Sequence, residues 1–141
     1  MPTSALTKFY SFTENLGKGR IDFSTHAFRV ALTNSAPALT YTVLASITQI
    51  AATGGYAAGG YLLAGVTWAM ASGVSKLAIT DEIITAAGGS VGPFRYLVLY
   101  DDTDPNDILI GWYDHGSAIT LLDTETYLLD FDGSNGVWEI T

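Results

Sequence analysis

Cysteine is absent from this 141-residue chain. That removes a disulfide framework, a thiol nucleophile and a cysteine-bound zinc from consideration, and leaves the redox compartment open. Charge is scarce, at 14% of residues against about 25% in ordinary soluble domains. Between Arg29 and Lys76 lie 46 residues with no ionisable acid or base of full charge. A membrane span is not the reading, because Asn34, Pro37, Gln49 and two Gly-Gly pairs interrupt the stretch and no 18-residue apolar run survives. A secretion leader is not expected either, since residues 1–8 lack a charged start followed by an apolar run. Helical periodicity of ten residues or more is also lacking, and histidine occurs only twice, as His26 and His115.

What is present is glycine, 15 residues of it, and aromatics at 12%. With abundant Thr this composition reads as β-sheet joined by tight turns, in one domain, since single cores serve about 100–200 residues. The net charge is −8 and unevenly spread. Residues 1–29 balance at +2, from Lys8, Lys18, Arg20 and Arg29 against Glu14 and Asp22, whereas residues 30–141 balance at −10. An acidic body repels phosphate backbones, so nucleic acid is excluded as a partner. The basic start is expected to meet an acidic surface, on a partner or a sister subunit.

Along the chain, residues 1–24 mix Phe9, Tyr10 and Phe12 with Asn15, Gly17 and Gly19. They read as an N-terminal arm with aromatic anchors or, alternatively, as a first strand; residues 25–141 form the body. Strands are expected at 26–33, 61–69, 74–80, 94–100, 108–114, 118–122, 126–131 and 137–140, with one short helical turn within 43–51. Phe94, Tyr96, Val98 and Tyr100 alternate with Arg95, Leu97 and Leu99, which marks a central strand covered on both faces. Ile108, Ile110 and Trp112 are expected on one face of its hairpin partner. About eight strands at this spacing predict an all-β, single-domain β-sandwich of jelly-roll type. Phe28, Val30, Leu32, Val98, Ile110, Leu129 and Phe131 are expected in its core.

Residues that could carry chemistry are few. The loop Asp101-Asp102-Thr103-Asp104-Pro105-Asn106-Asp107 offers Asp101, Asp102, Asp104 and Asp107 as oxygen ligands for calcium. The alternative, which is favoured, is a hairpin loop of turn formers held in water. Residues 130–136 open like a calcium loop but lack its closing acid. Gly54-Gly55 and Gly59-Gly60 do not match a nucleotide-binding spacing and read as a turn. Asp114, His115 and Ser117 sit in one tight turn, where they cannot converge on a substrate. The acids of Asp81-Glu82 and of the Asp123, Glu125 pair lie near turns and imply no acid–base couple. No catalytic residue, cofactor or enzymatic activity is expected.

The order Tyr10-Ser11-Phe12-Thr13-Glu14-Asn15-Leu16-Gly17-Lys18-Gly19, Val30-Ala31-Leu32-Thr33-Asn34-Ser35-Ala36-Pro37, Gly54-Gly55-Tyr56, Gly59-Gly60, Gly92-Pro93-Phe94-Arg95-Tyr96 and Gly111-Trp112-Tyr113-Asp114 resembles a family of small virion proteins of tailed bacteriophages. The resemblance covers most of residues 9–140. It implies a β-sandwich that decorates or cements the outer surface of a phage head, made in the host cytoplasm, docked on the major capsid protein and assembled as a symmetric homo-oligomer. The charge-free stretch from Val30 to Ser75 separately predicts self-association, as a trimer before a dimer. On that reading Lys8, Phe9, Tyr10, Phe12, Lys18 and Arg20 form the docking arm, the aromatics as anchors and the cations as steering charges. A rival reading is a tail or fibre module that binds a receptor or glycan on Trp68, Trp112 and Trp138 as stacking platforms. A third is a small ligand-binding barrel with an apolar cavity.

Overall fold

The computed structural model describes residues 5–141; the first four residues of the expected arm lie outside the described residues. The described chain is mostly β. Strands run in the order β1 (Thr7–Lys8), β2 (Phe28–Thr33), β3 (Tyr61–Leu62), β4 (Thr67–Ala71), β5 (Val74–Ala78), β6 (Glu82–Thr85), β7 (Val91–Asp101), β8 (Ile108–Leu121), β9 (Thr126–Leu129) and β10 (Trp138–Ile140). One helix, α1 (Tyr10–Gly17), follows β1, and a 3-10 turn at Leu44–Ser46 falls inside the segment expected to turn. The all-β class predicted from the sequence holds, with ten strands instead of eight. No helix among the described residues is long and apolar enough to cross a membrane.

Three antiparallel sheets share one core. The largest has the order β1-β8-β7-β2-β3; a second runs β10-β5-β4, and β6 pairs with β9. All three contribute to the principal apolar cluster: Leu32 and Leu99 from the large sheet, Leu77 from the second, Ile84 and Leu129 from the third. The seven residues expected in the core are all buried. Each such Val, Leu, Ile or Phe adds about 1.5–3 kcal/mol by leaving water.

Strand β7 is the doubly covered strand that its composition predicts. Leu97 and Leu99 enter the principal cluster, while Val98 and Tyr100 enter a second cluster with Phe9, Leu44, Ile47, Leu109 and Trp112. Two expected faces are corrected. Phe94 joins the principal cluster instead of Val98's side, because the β7–β8 ladder breaks between Phe94 and Tyr96, whose partners jump from Ile119 to Asp114. Trp112 lies opposite Ile110, because Leu99 pairs with Gly111 and Tyr100 with Leu109, leaving Ile110 as an extra residue. A bulge of this kind inverts every side chain beyond it.

The expected strand 61–69 is two strands in different sheets. Between them Gly65 adopts φ +63°, and a β-carbon there would overlap the Thr80 side chain. The expected strands 108–114 and 118–122 are one continuous β8, and β6 arises where only near-turn acids were read.

Residues 5–24 are not a free arm. Phe12 and Leu16 sit one turn apart on α1 and face the core, where Phe12 meets Phe23 and Trp138. The helix ends where Gly19 takes φ +74°, with the Gly19 amide bonded to the Leu16 carbonyl and the Arg20 amide to Asn15. A glycine in this conformation is a common helix stop. Glu14 and Lys18 pair across one turn of the exposed face.

Candidate functional site

The acidic loop joining β7 to β8 is fastened to residues 20–29 by three pairings. Arg20 grips Asp104 in a fork, with contacts of 2.9, 3.1 and 3.2 Å. The His26 ring nitrogen Nδ1 lies 2.6 Å from Asp101 Oδ2. Arg29 Nε donates to Asp102 at 2.9 Å. Asp101 is fully buried, and its other oxygen accepts from the Thr103 and Asp104 amides. Asp104 also accepts from the Asn106 amide, and Thr103 Oγ1 accepts from the Ala27 amide. Carboxylates that accept backbone N–H bonds and a guanidinium fork are held in one geometry.

This arrangement corrects two expectations. The loop is not a string of solvated turn formers, since Asp101 and Asp104 are buried. Nor do its carboxylates gather around a cation: Asp101, Asp102 and Asp104 each face a different basic side chain. Among the described residues no three His, Asp or Glu groups are placed to hold a metal. The basic start of the chain does meet an acidic surface, and that surface is this chain's own.

Beside the loop lies a cleft of about 450 Å³, lined by Arg29, Gln49, Gly59, Tyr100, Asp102 and Asp107 among others. Its walls are tied together by hydrogen bonds. The Leu32 amide donates to the Tyr56 hydroxyl, which donates to Gln49 Oε1 at 2.6 Å; the Gly59 amide donates to the same oxygen at 2.8 Å. Tyr100 donates its hydroxyl to the Gly59 carbonyl. Burial pushes the Tyr56 hydroxyl up to about 12, and burial with the neighbouring Asp102 and Asp107 pushes Tyr100 up as well, so both remain donors. Burial, followed by repulsion from Asp102 and Asp104, raises the Asp107 carboxyl above its ordinary 3.8. The cleft is polar and its hydroxyls and amide are engaged in holding the 54–60 turn, so it does not suit the apolar cavity of a ligand barrel.

The six residues expected to dock a partner separate into three groups. Phe9 and Phe12 are buried within this chain, Phe9 against Trp112 with ring centres 4.7 Å apart. Lys18 and Arg20 are paired with Glu14 and Asp104. Tyr10 is 67% exposed, and Lys8 holds its ammonium 5.4 Å from the Trp138 ring. Burial of Phe9 and Phe12 follows from their spacing on either side of the helix start, which puts both against the sheets.

The tryptophans do not present open faces. Trp112 is buried, and Trp68 stacks on Trp138 with centres 6.0 Å apart while also meeting Phe23. Around His115, the Nδ1 atom faces the Tyr127 hydroxyl at 3.4 Å, and Asp114 is held by Arg95 and the Gly116 amide. Asp132 caps its own turn by accepting from the Ser134 and Asn135 amides. The residues missed by sequence reasoning are Arg29, Gln49, Tyr56 and Tyr100; of these only Arg29 carried a signal, as one of six basic residues. Compared with known proteins, the chain matches no family model, no curated protein and no solved structure.

Proposed function

We propose that this protein is a structural virion component that decorates or cements a tailed-phage capsid through contacts with the major capsid protein. The observation that carries this reading is the division of labour among its side chains. The acids and bases of the 20–29 and 101–104 segments fasten the chain to itself, while large apolar groups such as Tyr10, Leu62, Ile83 and Leu128 stand on the surface. A surface of that kind is suited to being covered by protein. The sequence resemblance to phage virion proteins supports the same reading. It calls for no cofactor and no bond-making step, and it puts the protein on the outer surface of the head after synthesis in the host cytoplasm.

Within this reading Tyr10 is the docking group that the N-terminal segment contributes, together with Leu39, whose carbonyl accepts the Tyr10 amide at 3.0 Å. The glycan-platform alternative loses its support, because Trp68, Trp112 and Trp138 pack against one another or against phenylalanines.

The test mixes the purified full-length chain with phage heads that lack it and measures saturable binding and the temperature at which heads release DNA. Binding at a fixed ratio to capsid protein, with a raised release temperature, is the expected result. Tyr10→Ala should weaken binding about 30-fold, as loss of an aromatic anchor does, with unchanged thermal unfolding. Heads that take up none of the protein would refute the reading.

A further inference from the structure

Strand β4 is the longest of the strands that end a sheet, and nothing blunts it. Natural edge strands are protected by brevity, by charge, by proline or by a bulge. The other terminal strands show such devices: β1 and β3 have two residues each, β6 begins with Glu82, β10 contains Glu139, and β9 is bounded by Glu125 and Asp130. Strand β4 reads Thr67-Trp68-Ala69-Met70-Ala71, pairs with β5 over all five positions without a register shift, and carries no charge or proline. Among the described residues, no strand lies beyond the alternate N–H and C=O groups along its outer side.

The face of the sheet around β4 is also unfinished. Trp68, Leu77 and Trp138 form one cross-strand row and pack on the core. The next row on the same face, Met70, Ser75 and Ile140, runs past the core, with Met70 67% and Ile140 45% exposed.

We infer that β4 pairs antiparallel with β4 of a second copy of this chain, forming a two-fold dimer with one continuous six-stranded sheet. Charge selects a second copy over an unrelated partner. In a two-fold contact each group meets its own symmetry mate or a near neighbour, so an ionised side chain on the edge would face a like charge. A chain of net charge −8 leaves this edge neutral, within the charge-free stretch of residues 30–75. The register follows from geometry. Only residues on the same face of the sheet can stand opposite each other, and the five positions overlap fully when Ala69 faces Ala69 of the copy. Trp68 then stands opposite Met70 of the copy, which sets the exposed Met70 side chain against the edge of the indole ring, a favourable sulfur–arene contact. This two-fold arrangement replaces the trimer expected from the charge-free stretch, and it does not rest on the capsid reading.

The experiment measures the mass of the full-length chain by sedimentation at high micromolar concentration and introduces a single cysteine at the predicted axis. The expected mass is twice the 15.0 kDa of one chain. Because the chain has no cysteine of its own, Ala69→Cys should give one disulfide-linked dimer on mild oxidation, whereas Ile83→Cys, on the β6–β9 sheet, should stay unlinked. Met70→Lys should raise the dissociation constant about a hundredfold while circular dichroism stays unchanged, since each lysine then lies diagonally across the edge from its symmetry mate, about 7–8 Å away, and loses water against Trp68 of the copy. Ile83→Lys, equally exposed, should leave the dimer intact. A monomer or trimer at high micromolar concentration would overturn the proposal, as would a dimer that survives Met70→Lys and fails to link as Ala69→Cys. Mass and capsid binding are separate measurements, so either reading can fail alone.

Discussion

Arg20 and Asp104 face each other as a two-pronged pair across 84 positions of sequence, the guanidinium half-exposed and the carboxylate nearly buried. Removing the arginine leaves a buried carboxylate whose remaining hydrogen-bond donor among the described residues is the Asn106 amide. Arg20→Ala is therefore expected to lower unfolding free energy by about 1–3 kcal/mol in urea titration. Arg20→Lys should recover less than half of the loss, because an ammonium cannot reproduce the fork. The double replacement Arg20→Ala with Asp104→Ala should cost less than the two single changes added together.

Deleting residues 1–20 is expected to abolish cooperative folding. The deletion removes Phe9 and Phe12, each contributing about 1.5–3 kcal/mol of apolar burial, and strips the cover from Trp112 and Phe23. Domain stabilities are only about 5–15 kcal/mol, so this loss together with the Arg20 fork is large. Thermal unfolding followed by near-ultraviolet circular dichroism reads the outcome. A truncated chain with a sharp transition would show that the segment is dispensable to the body.

Asp107 provides a test of sign. Its folded-state carboxyl binds a proton more tightly than in the unfolded chain. Well below the ordinary value of 3.8 both states are protonated and nothing is lost; as pH rises through that value and then the folded one, the unfolded chain ionises first and stability falls. Asp107→Asn should thus raise the melting temperature at neutral pH by a few degrees and have no effect well below pH 3.8. The replacement suits the backbone, since Asp107 has φ +50° and Asn tolerates that region. An unchanged melting temperature at pH 7 would contradict the account.

Two glycines with similar backbones should respond differently to alanine. Gly73, in the β4–β5 turn with φ +81°, has open space around it, so Gly73→Ala should cost only the conformational penalty of about 1–2 kcal/mol. At Gly60, φ +76°, a β-carbon would overlap the Val30 carbonyl, so Gly60→Ala should cost at least about 3 kcal/mol. Chemical denaturation of both variants compares them directly.

The core was legible where alternation is regular. Phe28, Val30 and Leu32 lie on an unbroken strand, and counting by twos puts all three inside. Counting fails at Phe94 and Trp112, since a ladder irregularity is set by the partner strand and leaves no mark on the strand's own pattern. Helix α1 escaped notice because two turns offer only Phe12 and Leu16 as a core-facing pair, with a glycine at the end that equally signals a loop. The site was half legible. Charge counting showed a basic start and an acidic remainder, yet which base meets which acid depends on how β2 and β7 align, from Phe28 opposite Asp101 to Thr33 opposite Tyr96. That alignment brings Arg29 beside Asp102, and no local window of sequence contains it.

The three pairings between residues 20–29 and the 101–104 loop span 84, 75 and 73 positions. During synthesis the N-terminal third therefore leaves the ribosome long before its partners exist. Until residue 104 emerges, Arg20, His26 and Arg29 have no carboxylates to engage, and Phe9 has no Trp112. Contacts this distant in sequence form late and slowly. The fold is thus expected to close only after most of the chain is released, and the uncharged 30–75 stretch stays exposed until β7 arrives to pair with β2.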